Sequence, residues 1–155
     1  MDPAQAAPYA CSGLTAFSAL KKIPTTSKDD WIIIIGAGGV GINGILLSPA
    51  VHKAKILVID NDPEKRKKAL EAGANEAFAP DEETEIRNKI GIGSAAAIDF
   101  VGRPETTDLG LTLVKKGGTV IVVGLYGGSL KLSLPLVPMR SMSLRGSYVG
   151  ELRAV

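Results

Sequence analysis

Between Trp31 and Gly41 the chain reads Trp-Ile-Ile-Ile-Ile-Gly-Ala-Gly-Gly-Val-Gly, and few folds can house that stretch. Five large apolar residues in a row, four of them β-branched, predict a strand buried on both faces. The glycines follow at once. Gly36, Gly38 and Gly41 match G-x-G-x-x-G, with Gly39 and Val40 between them, and Val40 to Leu47 predicts a helix that opens on the turn. Gly36 permits the tight turn, Gly38 lets a pyrophosphate approach the backbone, and Gly41 lets the helix lie close to the strand. Free N–H groups at a helix start, together with the helix dipole, favour a phosphate there. The spacing alone marks many ordinary turns. Placed between a strand and a helix, and followed by Asp60 at the end of the next apolar run, it points to a dinucleotide site.

The rest of the chain keeps the alternation. Residues 8–22 predict a helix on Leu14, Phe17 and Leu20, with Lys21 and Lys22 at its C-terminal end. Residues 24–30 form a polar connection into the first strand. The helix after the glycine turn is expected to stop near Ser48-Pro49, because proline cannot continue the hydrogen-bond ladder. Its Asn43-Gly44 pair is a poor helix former and implies close packing. Ala54–Asp60 is the second strand. Asp62 caps the next helix and Pro63 takes its first position. Glu76–Phe78 is a short third strand, Glu82–Ile90 a helix, and Ala95–Val101 the fourth strand. A helix from Pro104 to Val114 follows, and Gly117-Gly118 turns into the fifth strand, Thr119–Gly124. Leu130–Leu132 is extended and Leu136–Met139 a short helix. Met142–Tyr148 alternates apolar and polar residues, as a half-exposed edge strand does.

This pattern predicts an α/β Rossmann fold. A doubly wound parallel sheet of six strands, order 3-2-1-4-5-6, has helices on both faces and right-handed crossovers. The ligand crevice lies between strands one and four, outside the strand carboxyl ends. Residues 1–29 are read as a lead-in helix and connection, 30–150 as the nucleotide-binding domain, and 151–155 as the start of a truncated further segment.

The formal net charge of +2 across 155 residues makes no case for nucleic acid or an anionic membrane. No apolar run approaches a membrane span, and the N-terminus has no signal-peptide pattern. The single cysteine, Cys11, excludes an internal disulfide and suggests a reducing, cytoplasmic compartment. Asp60, at a second-strand end, can accept hydrogen bonds from ribose hydroxyls and would repel a 2′-phosphate, so NAD is preferred over NADP. Asp62 already supplies the helix cap that would otherwise explain an aspartate here. The run Glu64–Lys68 is mostly a solvated face. Lys65 is the best placed of its cations to reach the cofactor, and Lys65 with Arg66 keeps NADP open. Catalytic zinc needs three protein ligands. The chain offers Cys11 and one histidine, His52, so it cannot build that site alone, and Cys11 reads on composition as a small buried residue. Tyr9, Tyr126 and Tyr148 lack a lysine four positions on and read as packing residues.

Several motifs taken together are more specific. Ala6–Leu20, the turn Gly36-Ala-Gly-Gly-Val-Gly41, Asp60-Asn-Asp-Pro-Glu-Lys65 with Ala72-Gly-Ala74, Phe100-Val-Gly-Arg103, Val122-Val-Gly124 and Leu144-Arg-Gly-Ser-Tyr148 resemble, in order, the cofactor domain of medium-chain zinc-dependent alcohol dehydrogenases. The resemblance implies hydride transfer between NAD and a small alcohol or carbonyl substrate. It implies a zinc ligand at Cys11, nicotinamide contacts at Thr15 and Val40, and adenosine-ribose contacts at Asp60 and Lys65. It places Val101 and Arg103 near adenine and its ribose, Val123 and Leu125 at the carboxamide, and Ser147 and Val149 at similar contact positions. Members of that family carry a separate catalytic domain with the other zinc ligands and the proton relay. The chain is therefore expected to be a cofactor domain that binds NAD and is inactive alone, with zinc belonging to a full-length parent. Relatives pair the Met142–Tyr148 strand across a two-fold, so a homodimer through that edge is expected. Three alternatives stay open: a stand-alone NAD-binding or redox-sensing module, a zinc-free quinone reductase relative, and an S-adenosylmethionine methyltransferase.

Overall fold

The isoleucine run forms β1 (Trp31–Ile35), the centre of the sheet. Alternate residues point to opposite faces, and both faces are covered. Ile32 and Ile34 join one apolar core, and Ile33 and Ile35 join the other. A computed structural model describes residues 7–150. Residues 1–6 of the lead-in and the tail 151–155 lie outside the described residues.

The six strands lie in the order β3-β2-β1-β4-β5-β6, and every pairing is parallel. They are β2 (Lys55–Ile59), β3 (Glu76–Phe78), β4 (Ser94–Asp99), β5 (Val114–Val122) and β6 (Ser143–Gly146). One face is covered by α1 (Ser12–Lys21), α2 (Gly39–Val51) and α3 (Pro63–Glu71), which contribute Leu20, Ile45 and Ala69 to its core. The other is covered by α4 (Glu83–Ile90) and α5 (Pro104–Leu113), through Ile86, Ile90 and Leu111. A short helix, α6 (Leu136–Arg140), precedes β6. The expected fold class and strand order are those observed, and the β1–β4 pairing marks the switch point.

Several boundaries differ from expectation, each for a local reason. Helix α2 continues through Pro49 to Val51. A proline so close to the C-terminus forfeits one bond, and His52 N still donates to Ser48 O at 2.8 Å, closing the last turn. The lead-in segment is a 3₁₀ turn (Ala7–Ala10) followed by α1, not one helix. Its buried face is made largely of small residues (Gly13, Thr15, Ala16, Ser18, Ala19) plus Leu20, while Leu14 and Phe17 are only half-buried. Small side chains allow α1 to pack closely on α2. Strand β5 starts at Val114, before the glycine pair rather than after it. The register jumps from Ser94–Val114 to Ala96–Thr119, so Gly117, at φ +79°, sits in a bulge within the strand. Strand β4 ends at Asp99 because that carboxylate captures the amides of Val101 and Gly102. Residues 130–132 form no strand.

The packing inferred from Asn43-Gly44 is present. A Cβ on Gly44 would press on the Phe100 ring at 3.1 Å. At the opposite end of the sheet, Lys115 Nζ lies 2.6 Å from Asp30 Oδ1, tying the entrance of β1 to β5. The hydrogen bond from Lys115, then that from the Ser27 amide, holds the Asp30 carboxyl below its usual value of 3.8. His52 bridges two segments: Nε2 meets Leu20 O at 2.9 Å and Nδ1 meets Thr26 Oγ1 at 3.3 Å. That pairing fits an imidazole that donates from Nε2 and accepts at Nδ1.

Candidate functional site

The carboxyl ends of β1, β2 and β4, the loop after β5 and the first turns of α2 and α5 enclose a cleft of about 710 Å³. Its floor is the glycine turn, and each glycine has a distinct surrounding. Gly36 has φ +92°, a conformation that side chains rarely tolerate. A Cβ on Gly41 would land on the main-chain oxygen of Gly36. The fold itself demands those two glycines. Around Gly38 and Gly39 the reverse holds: a Cβ would meet no protein atom within 4 Å, neither has a positive φ, and both are exposed in the cleft.

Helix α2 takes Gly38 as its N-cap, and the first ladder bond runs from Ile42 N to Gly38 O at 2.9 Å. The N–H groups of Gly39, Val40 and Gly41 therefore have no acceptor within the helix. They edge an open cavity at the positive end of a 13-residue helix.

Asp60 follows β2 and is only 8% exposed. Its Oδ2 accepts the Ala37 amide at 2.8 Å and its Oδ1 accepts the Asp62 amide at 2.9 Å. The carboxylate thus pins the glycine turn to the neighbouring strand, a role that no local sequence signal marks. Each oxygen keeps acceptor capacity for a ligand in the cleft. Asp62 caps α3 as expected, its Oδ1 accepting from Glu64 N at 2.9 Å. Arg66 is spent on main chain, with one guanidinium nitrogen 2.8 Å from Asp60 O and 3.1 Å from Asn61 O. Lys65, not Arg66, lines the cleft.

On the far side of the switch point, Asp99 is fully buried. Its Oδ1 accepts the amides of Val101 and Gly102, both at 2.9 Å, and its Oδ2 accepts the hydroxyls of Thr106 at 2.8 Å and Thr107 at 2.7 Å. This one group shapes the loop that carries Val101 and Arg103 and fixes it to α5. The loop is also pressed against the end of β5: a Cβ on Gly102 would overlap the Gly124 main chain, and one on Gly124 would overlap Val101. Nothing in the periodicity marked Asp99, which reads simply as the last polar residue of an apolar strand.

The structure brings Gly36, Gly38, Gly39, Val40, Gly41, Asp60, Lys65, Val101 and Arg103 to this one cleft. It adds Tyr126, whose ring lies 3.6 Å from Arg103 Cζ. Tyr126 is 68% exposed and Tyr148 73%, so these tyrosines are not core packing residues. The remaining sequence candidates lie outside the cleft lining. Thr15 is buried in α1, its hydroxyl donating to Cys11 O at 2.7 Å. Val123 is buried beside Asp99, whose carbonyl accepts its amide at 2.9 Å. Leu125 is exposed. Ser147 is buried with its amide bonded to Val122 O, and its hydroxyl has no hydrogen-bond partner among the described residues. Val149 adopts φ +49°, and the next residue, Gly150, packs against Leu14 of α1.

Cys11 is exposed, not buried as its composition-based reading held, because it sits at the break between the 3₁₀ turn and α1. Among the described residues no three His, Cys, Asp or Glu side chains gather around a point that could hold a metal, and His52 is engaged elsewhere. The described residues therefore do not form a zinc site. No helix among them is long and apolar enough to cross a membrane.

Comparison with known proteins agrees with this architecture. The chain is 35% identical over 154 residues to an NAD-dependent alcohol dehydrogenase of Sulfolobus acidocaldarius, covering 98% of this chain and 44% of that protein. It is 32% identical over 155 residues to an NAD-dependent alcohol dehydrogenase of Sulfurisphaera tokodaii, covering 97% and 45%. The crystal structure of an alcohol dehydrogenase from Aeropyrum pernix superposes with a TM-score of 0.90 at 32% identity, over 96% of this chain and 44% of that one. The chain thus spans a little under half the length of these relatives. Residues 39–155 match the family described as zinc-binding dehydrogenase, and on that match and the shared fold the chain belongs to the zinc-binding dehydrogenase family.

Proposed function

We propose that the cleft binds NAD and that the chain is the cofactor-binding part of an NAD-dependent alcohol dehydrogenase, acting on a small alcohol or carbonyl substrate. One observation supports this above the others. Gly38 and Gly39 face empty space, so the protein's own packing gives no reason for the missing side chains, whereas a pyrophosphate does. The main-chain amides of Gly39 to Gly41 would hold its oxygens, and Asp60 would accept from the adenosine ribose hydroxyls with Lys65 beside it. Val40, half-buried at the helix start, would back the nicotinamide side, and Val101 and Arg103 would meet the adenosine side. Thr15, Val123, Leu125, Ser147 and Val149 are proposed for the nicotinamide end, which extends past the cleft toward α1. The buried Ser147 hydroxyl, which has no partner among the described residues, supports that placement, since a buried hydroxyl without a partner is costly.

When bound, NAD supplies a hydride acceptor; the chain's own residues bind it, orient it and exclude water from one face. In a full-length enzyme Cys11 would be the one thiolate this segment offers the metal, and other ligands have no counterpart among the described residues. By itself the chain is proposed to bind cofactor without turning over, in the cytoplasm. The test is calorimetric titration with NAD, NADP and S-adenosylmethionine. Of the three, NAD should bind most tightly, though weakly for a chain of this length. Asp60→Ser should weaken NAD by about tenfold, for the lost charge-assisted hydrogen bonds, and narrow the gap to NADP. Preference for S-adenosylmethionine, or unchanged NAD affinity in Asp60→Ser, would refute the reading.

We also propose a homodimer through β6. The two sheet edges differ. Edge strand β3 is three residues long and is guarded by the Glu76–Lys89 ion pair at 2.6 Å. All four residues of β6 are exposed, with Leu144 on the strand and Met139 just before it. Lys22 Nζ donates to Gly146 O at 3.1 Å at the end of the strand, and the rest of this exposed, partly apolar edge invites a second strand. Analytical ultracentrifugation at tens of micromolar is expected to show a dimer, and Leu144→Asp a monomer. Monomer alone for the unaltered chain would exclude the interface.

A further inference from the structure

We infer that Tyr126 is a positioning residue, holding the Arg103 guanidinium flat at the cleft wall so that it meets the adenine nucleotide half of a dinucleotide. The inference rests on the cleft being a dinucleotide site. The Arg103 guanidinium stacks on the Tyr126 ring, Cζ 3.6 Å from the centroid, and both side chains line the cleft. No ion pair claims Arg103 among the described residues, although Glu105 lines the same cavity. Its in-plane donors and one of its two faces are therefore left for a ligand. An arginine on an exposed loop ordinarily samples many rotamers, and stacking on a ring removes most of that freedom before binding.

The main chain that carries the ring is held in place. Tyr126 N donates to Val101 O at 3.3 Å and Gly127 N to Gly102 O at 3.1 Å. Gly127 and Gly128 take φ of +104° and +118°, and Gly128 lies against the Pro104 ring. The loop after β5 is thereby fastened to the loop that carries Arg103. Arg103's own main chain is fixed from the other side: its amide donates to Thr106 Oγ1 at 3.0 Å, and that hydroxyl donates to buried Asp99. A largely exposed tyrosine has no packing role to explain such anchoring. A flat cation in a cleft that apolar Val101 and Leu109 also line suits a purine, which presents a π face for stacking and ring nitrogens as acceptors.

The experiment titrates the chain with NAD and with ADP-ribose, which lacks the nicotinamide. Tyr126→Leu should weaken both ligands by the same factor, about fivefold, the range expected of an exposed cation–π contact. Tyr126→Phe, which keeps the ring, should bind within about twofold of the unaltered chain. In an Arg103→Ala background, Tyr126→Leu should have no further effect. Equal losses for Phe and Leu, a loss confined to NAD, or additive losses in the double variant would overturn the inference. If the unaltered chain binds neither ligand, the dinucleotide reading fails and this inference fails with it. The residue is exposed, so the melting temperature of each variant is expected to match the unaltered chain.

Discussion

Replacing Asp99 with leucine is expected to remove about 3–5 kcal/mol of folding stability. The side chain is fully buried and serves four donors at once: two loop amides and two threonine hydroxyls of α5. Leucine fills a similar volume but accepts nothing. The hydroxyls of Thr106 and Thr107 can rotate toward other acceptors, but the Val101 and Gly102 amides point where the strand leaves them. Each buried donor without a partner costs about 1–3 kcal/mol, and the whole fold commands only about 5–15 kcal/mol. Asp99→Asn separates this account from a simple packing effect. An asparagine carbonyl can keep both amides, and its NH2 can donate to threonine hydroxyls that reverse their roles, so its expected cost is about 1 kcal/mol. Urea titration decides: the midpoint should fall steeply for Leu and slightly for Asn, with little change of slope. Equal, small losses for both would mean that the carboxylate does not organise the loop.

Asp99 also shows where the sequence stops being legible. The four isoleucines of β1, the glycine turn and the Asp62-Pro63 cap are local signals, each carried by adjacent residues, and the strand order follows from their succession. Gly36, Gly38 and Gly41 are local in the same way, and Asp60 stands at the end of the next apolar run. What stayed hidden depends on segments that meet only in three dimensions. The contact of Gly102 with Gly124, the Tyr126–Arg103 stack and the Asp60–Ala37 bond each join residues from different βα units. Composition suggests a buried Cys11, but its exposure depends on a break between two helical types, which composition does not show. The proline rule failed at Pro49 for a related reason. A proline's cost depends on how many helical bonds follow it, and only the last turn follows here.

Gly38→Val and Gly41→Ala are expected to fail in opposite ways, although both strike the same turn. A methyl at Gly41 would collide with the Gly36 carbonyl. Main chain cannot move aside as a side-chain tip can, so α2 must lift from β1, at a cost of about 3 kcal/mol. The urea midpoint should drop accordingly. A valine at Gly38 collides with nothing in the protein, since no atom lies within 4 Å of its Cβ position. The residue's φ of −73° and ψ of −169° are extended values that valine adopts readily. Its penalty to folding is limited to a poorer N-cap, at most about 1 kcal/mol. Its branched side chain would nevertheless stand where the phosphates must approach the amides of α2. NAD affinity in calorimetry should therefore fall by about a hundredfold, equivalent to ~2.7 kcal/mol, in a chain that remains folded. The contrast is the decisive point, because a turn kept glycine-rich only for packing would lose stability at both positions and show no selective loss of binding at Gly38. A Gly38→Val chain that binds NAD as tightly as the unaltered one would place the pyrophosphate elsewhere.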